Sequence, residues 1–192
     1  NSSVSAGTLL LEPSHTSLTN PTVGDANASV AQFKITANSS EDIWFKSITL
    51  KQDGTINTTD LSNFKLMQAS TDVPVTASVN GRRITLALNT PMKITNGTNK
   101  VFTVKADISA NADVADTVIL YVENAADILA TSNSYGFGVN PDITAYDTTG
   151  EAKTLTLQGG GVTISNLSDA ARDAKTNTTE IELMEVSIKA VT

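Results

Sequence analysis

The sequence predicts an all-β fold: an antiparallel β-sandwich of Ig-like or jelly-roll type with an additional C-terminal strand segment. Three observations point there. Apolar residues recur with period two along most of the chain. Turn dipeptides interrupt these runs about every ten residues, the spacing of sandwich strands. Helical periodicity is nearly absent, and Thr, Val and Ile favour strands while Asn and Gly favour turns.

The elements follow in order. Leu9-Leu10-Leu11 opens the chain's apolar pattern and leads into a Pro/Ser/Thr-rich stretch. Ala31, Phe33, Ile35 and Ala37 alternate with Gln32, Lys34 and Thr36. After a polar turn at 38–42, Trp44, Ile48 and Leu50 continue the pattern. Trp44, the only tryptophan, is expected to pack in the core, with a ligand platform as the alternative. Asn80-Gly81 is the strongest hairpin signal, joining 73–79 to 83–88. Ile84, Leu86 and Leu88 form one face, as do Phe102, Val104, Ala106 and Ile108, then Val118, Leu120 and Val122. Leu155 and Leu157 close the series, and Asp53-Gly54, Asn96-Gly97 and Thr149-Gly150 mark further turns. Single helical turns are expected at 60–63 and at 168–174, the latter capped by Ser168.

Composition bounds the function. The chain has 192 residues, 40% of them hydrophobic, which suffices for a packed core. A net charge of -7 with only 13 Lys and Arg argues against nucleic acid as a partner. No apolar run approaches the roughly 18 residues of a membrane span. Cysteine is absent, so neither a disulfide framework nor a thiolate metal site is expected. The chain starts at Asn1 without Met or leader and is expected to be a mature product after processing, with an arbitrary cut from a longer chain as the alternative. It also lacks the long apolar N-terminal helix of type IV pilins and archaeal flagellins, which disfavours assembly through a helical bundle.

Gly159-Gly160-Gly161 reads as a hinge between a body, residues 1–158, and a strand pair, residues 162–192. An internal repeat is expected across it. Residues 7–37 lie on residues 160–190 without a gap (residue 7 on residue 160, an offset of 153). Leu9 then falls on Val162 and Leu11 on Ile164, while Ala31, Phe33, Ile35 and Ala37 fall on Met184, Val186, Ile188 and Ala190. Few residues are identical, so a chance match between two strand–loop–strand stretches is the alternative. A real repeat places Ile181, Leu183, Val186 and Ile188 on a two-stranded ribbon that cannot bury its own apolar face. Such a ribbon must fold back on its own domain or dock on another subunit by strand addition.

Catalytic chemistry is sparse. His15 is the only histidine and sits in a loop, without the glycine pattern of a nucleophile elbow around any serine. Phosphate-binding and dinucleotide motifs are missing. The carboxylate pairs Glu41/Asp42, Asp113/Asp116 and Asp142/Asp147 could meet the two-carboxylate requirement of glycoside hydrolysis, but aromatics, the platforms of sugar clefts, make up only 5%. The sequence is therefore read as non-enzymatic. Asp107, Asn111, Asp113 and Asp116 offer clustered oxygens suited to Ca2+, with solvated loop carboxylates as the alternative. Asn-X-Ser/Thr sequons occur at Asn1, Asn27, Asn38, Asn57, Asn96, Asn166 and Asn177, so glycans are a candidate modification.

The runs 33–37, 41–50 and 60–66, together with 102–109, resemble tandem Ig-like modules of prokaryotic surface proteins. A further resemblance, through the early Ala6-Gly7-Thr8-Leu9 strand and the strand at 186–190, is to TasA-type extracellular fibre subunits. These resemblances imply a cell-surface location and polymerisation by donor-strand exchange. The expected function is a structural subunit of an extracellular filament or surface array, a homopolymer joined head to tail. Its subunit-interface strands would carry Leu9, Leu10 and Leu11 at one end and Ile181, Leu183, Val186, Ile188 and Ala190 at the other. The alternative is an adhesin or carbohydrate-binding module of a longer surface protein.

Overall fold

Alternating apolar residues make strands that are buried on one face, and two such sheets must meet. The computed structural model describes residues 7–38, 40–167 and 185–191. It divides into two compact units, residues 1–158 and 159–192. In the first unit the strands are β1 (Leu9–Pro13), β2 (Ala28–Ala37), β3 (Ile43–Gln52), β4 (Leu61–Gln68), β5 (Thr71–Val73), β6 (Val75–Asn80), β7 (Arg83–Ile94), β8 (Asn99–Ile108), β9 (Thr117–Val118), β10 (Leu120–Tyr121), β11 (Ile128–Ser132), β12 (Pro141–Asp142) and β13 (Leu155–Thr156). In the second unit they are β14 (Gly161–Asn166) and β15 (Val186–Val191).

The first unit is an all-β sandwich. One sheet has the order β12-β1-β2-β8-β4-β5. The other runs β10-β3-β7-β6, with β11 also pairing β3, and β13 pairs β9 separately. The sheets meet through aromatic rings. Phe33 and Phe102 are cross-strand partners in the first sheet, stacked at 5.5 Å. Phe45 from the second sheet leans on Phe102 at 5.4 Å. All three are fully buried, in one core with Leu9, Leu11, Ile35, Ile48, Leu50, Ile84, Leu86 and Val104. Each large apolar side chain so buried contributes about 1.5–3 kcal/mol.

β1 is held on both edges, by β2 antiparallel over residues 9–13 and by β12 parallel at Leu9↔Pro141 and Leu10↔Asp142. Near the other end of the unit, Thr22 bridges Gln158 in parallel. The Val23 amide donates to the Gln158 carbonyl at 2.9 Å, and the Gln158 amide to the Pro21 carbonyl at 2.8 Å.

The structure corrects the sequence reading at three places. The hairpin after β6 turns at Gly81-Arg82, one residue later than expected, with Gly81 at φ +58. The helical turn expected at 60–63 is a 3-10 turn at Thr58–Asp60, after which β4 begins. Trp44 is not a core residue: Ile43 and Phe45 point inward instead. The cause is a bulge. β3 pairs Ser47 with Ala87 but Phe45 with Met92, so residues 88–91 of β7 leave the ladder. Pro91, which has no amide to donate, lies in that excursion. The irregularity shifts the phase of β3, turning Trp44 outward while Ile48 and Leu50 stay in. The helical turn expected at 168–174 lies outside the described residues.

Fully buried Gln52 organises the loop after β3. Its amide donates to the carbonyls of Gly54 and Ile56, at 3.2 and 2.8 Å, and its side-chain oxygen accepts from the Gly54 amide at 2.6 Å. A Cβ at Gly54 would lie 2.0 Å from the Thr117 carbonyl oxygen. Gly54→Ala must therefore push β9 away from this loop. A loss of about 1–3 kcal/mol is expected in urea unfolding; unchanged stability would show that the close approach is not constrained.

Candidate functional site

The second unit is the clearest candidate. β14 and β15 pair antiparallel from Gly161↔Val191 to Asn166↔Val186, and the Leu167 amide closes the ribbon on the Glu185 carbonyl at 2.9 Å. Directly opposed residues share a face. Val162, Ile164, Val186 and Ile188 therefore stand together, and Thr163, Ser165, Ser187 and Lys189 occupy the other side. The apolar four are 65%, 67%, 42% and 69% exposed. This pattern suits a strand pair that belongs against another sheet.

A second candidate lies on the body beside the β7 excursion. Trp44, Lys46, Thr90, Pro91, Thr131 and Asn133 line a groove of about 510 Å3. The Trp44 indole N–H donates to Asn133 Oδ1 at 2.9 Å, and Lys93 Nζ lies 5.9 Å from the indole centroid. In the adjoining turn Tyr135 and Phe137 stack at 6.4 Å with both rings exposed.

This turn is pinned from beneath by Glu41. The buried carboxylate accepts from the Gly7 amide at 2.7 Å, the Ser132 hydroxyl at 2.7 Å and the Ser134 amide at 3.2 Å. One side chain thus ties the chain before β1, the start of β3 and the end of β11. The Ser132 hydroxyl and then the Gly7 amide hold its carboxyl below the usual range, against burial, which pushes it up.

The sequence matches no protein-family profile and no curated protein at a significant level. Among solved structures the chain is similar to the crystal structure of BslA, a bacterial hydrophobin. The TM-score is 0.33 and the identity 11%, over 82% of this chain and 98% of that one. It is also similar to a variant of BcpA, the major pilin subunit of Bacillus cereus, at TM-score 0.33 and 10% identity. That match covers 82% of this chain and 42% of the pilin, so the chain spans less than half of the pilin's length. Likeness at this level decides neither family nor activity.

The structure places the expected site residues as follows. Leu9 and Leu11 face the body's own core, and Leu10 is half-buried in a strand paired on both edges. The N-terminal strand is therefore engaged within the body. Val186 and Ile188 lie on the exposed ribbon, and Ala190 pairs with Val162 there. Ile181, Leu183, Asn177 and Asn1 lie outside the described residues. Asn27, Asn57, Asn96 and Asn166 are exposed, and Asn38 is half-exposed.

The four residues considered for calcium have separate partners. Asp107 accepts from Asn63 Nδ2 at 2.6 Å and the Asn27 amide at 2.7 Å, which together with Lys65 lower its pKa. Asp116 accepts from the Thr55 hydroxyl at 2.7 Å, and the Asn111 amide donates to the Ser109 hydroxyl at 3.1 Å. The Asp113 carbonyl receives the Asp116 amide at 3.2 Å. Among the described residues no group of three or more His, Cys, Asp or Glu side chains comes together in a way that would hold a metal ion. Asp142 and Asp147 share a hollow of about 460 Å3, but the Asp142 carboxylate is occupied by the amide and hydroxyl of Thr144. His15 bonds the Glu151 carbonyl through Nε2 at 2.9 Å. Sequence reasoning missed the Tyr135–Phe137 pair and the buried role of Glu41; Tyr135 and Phe137, two of only eight Tyr and Phe and separated by one glycine, were the available signal for the first.

The lowered pKa of Glu41 fixes a sign. Its contribution to stability is complete above the ordinary carboxyl range and is lost as pH falls through the lowered value. Glu41→Gln should lower the melting temperature at neutral pH, and the gap to the parent should narrow in acid. Equal gaps at both ends of a pH series of thermal melts would refute the role assigned to the ionised carboxylate.

Proposed function

We propose that the protein is a structural building block of an extracellular filament or surface array. Its sandwich bodies follow one another head to tail, and the β14–β15 ribbon of one is built into the next by β-strand addition. The observation that carries this reading is the uncovered apolar face of the ribbon, with Val162, Ile164 and Ile188 each about two-thirds exposed. A pair of strands is marginal alone and becomes stable when a further sheet covers it. Repeated from body to body, such a joint generates an open chain of sandwiches. The exposed sequon asparagines, the cysteine-free composition and the acidic charge suit an extracellular setting.

Removing residues 180–192 takes away β15. The truncated chain should lose its assemblies in negative-stain micrographs and sediment as a monomer while keeping the body's thermal transition. Normal assemblies from the truncated chain would sink the ribbon joint.

A second reading, a glycan-binding module of a surface protein, is favoured by the Trp44 groove beside the exposed Tyr135–Phe137 pair. Aromatic faces of this kind stack on the apolar faces of sugars. It predicts that a monomeric chain binds immobilised glycans and that Trp44→Ala abolishes retention. Failure of the intact chain to bind any glycan would remove this reading.

A further inference from the structure

We infer that β14–β15 is the founding ribbon of a second sandwich of the same kind, its apolar face covered by a sheet built like β3–β7 and carried on the same polypeptide C-terminal to β15. This builds on the ribbon as the joint between successive bodies and specifies what lies beyond it.

The carrying observation is the register. β1 and β2 pair Leu9↔Ala37, Leu10↔Thr36, Leu11↔Ile35, Glu12↔Lys34 and Pro13↔Phe33. β14 and β15 pair Val162↔Ala190, Thr163↔Lys189, Ile164↔Ile188, Ser165↔Ser187 and Asn166↔Val186. With residue 7 laid on residue 160, every pair of the first ribbon falls on a pair of the second. Two unrelated strand–loop–strand stretches have no reason to share a register, because a slip by one residue would turn every side chain to the other face. The faces agree as well: Leu9, Leu11, Phe33 and Ile35 correspond to Val162, Ile164, Val186 and Ile188.

Burial separates the two ribbons. The four side chains on β1 and β2 are at most 1% exposed, while their counterparts on β14 and β15 are 42–69% exposed. In the body the cover comes from the facing sheet, through Phe45 against the Phe33–Phe102 pair. The ribbon lacks the equivalent of that sheet among the described residues. The β1–β2 place in another copy is a poor substitute. It is already filled, and Val186 standing where Phe33 stacks on Phe102 would leave the volume of a ring empty. The resident ribbon wins that competition, so the fitting occupant is a fresh second sheet following β15.

Two measurements on the natural polypeptide test this. Mass spectrometry of its C-terminal peptides should find sequence beyond Thr192 with alternating strands and turns in the pattern of residues 43–108. Ile188→Cys places a single thiol in a cysteine-free chain at an exposed position. Its reaction with maleimide should be about tenfold or more slower in the natural-length polypeptide than in a chain ended at Thr192, because only the former covers the face. A polypeptide that stops at Thr192, a continuation without the strand pattern, or equal thiol reactivity overturns the inference. If the polypeptide stops at Thr192 and the 180–192 deletion still abolishes assembly, the ribbon joins separate copies and only this inference falls. If the strand pattern continues but the deletion leaves assembly intact, the tandem sandwich stands and the filament joint lies elsewhere.

Discussion

A β-sheet that is apolar on one face is stable only when that face meets another sheet, and this requirement organises the whole chain. In the body it is met at the centre by three rings, Phe33 and Phe102 from one sheet and Phe45 from the other. Strand order, the inward phase of β3 and the burial of β1 between β2 and β12 all serve that contact. In the second unit the same alternation is present without a facing layer among the described residues, and four residues of core type stand exposed. The contrast between the two units marks the ribbon as a candidate functional element more sharply than any charged or nucleophilic group on the body.

Much of this was legible in the sequence because period-two alternation is local. The faces of β2, β7 and β8, the Gly81 hairpin and the internal match at an offset of 153 can be read without knowing any long-range partner. Trp44 was misplaced because its orientation depends on its pairing with β7 and β11, both distant in sequence. The signal was Pro91, which breaks a ladder that the run Ile84, Leu86 and Leu88 only begins. The placement of the residues considered for calcium was illegible for a related reason. Neighbours in sequence are not neighbours at a site, and Asp107 turns to Asn63 and Asn27 while Asp116 turns to Thr55.

The polar pins were the least legible. Gln52 and Glu41 are unremarkable in sequence, yet each is buried and satisfied by three or more bonds, several of them to backbone groups. Buried polar groups of this kind gain their value from complete satisfaction. They fix loops at the rims of the sandwich, where alternation is silent. Glu41 also joins two parts of the body that are distant in sequence, since it holds both the entry to β1 and the turn that presents Tyr135 and Phe137.

The parallel contacts near the two ends of the body have a mechanical meaning. β1 runs parallel to β12, and Thr22 is bridged in parallel to Gln158. When the chain is drawn out from residue 7 and residue 158 at once, parallel neighbours slide past each other instead of peeling apart. The bonds at Pro21, Val23 and Gln158 then stretch together, in shear. Load entering at residue 158 therefore meets these bonds ahead of the buried Leu155 and Leu157.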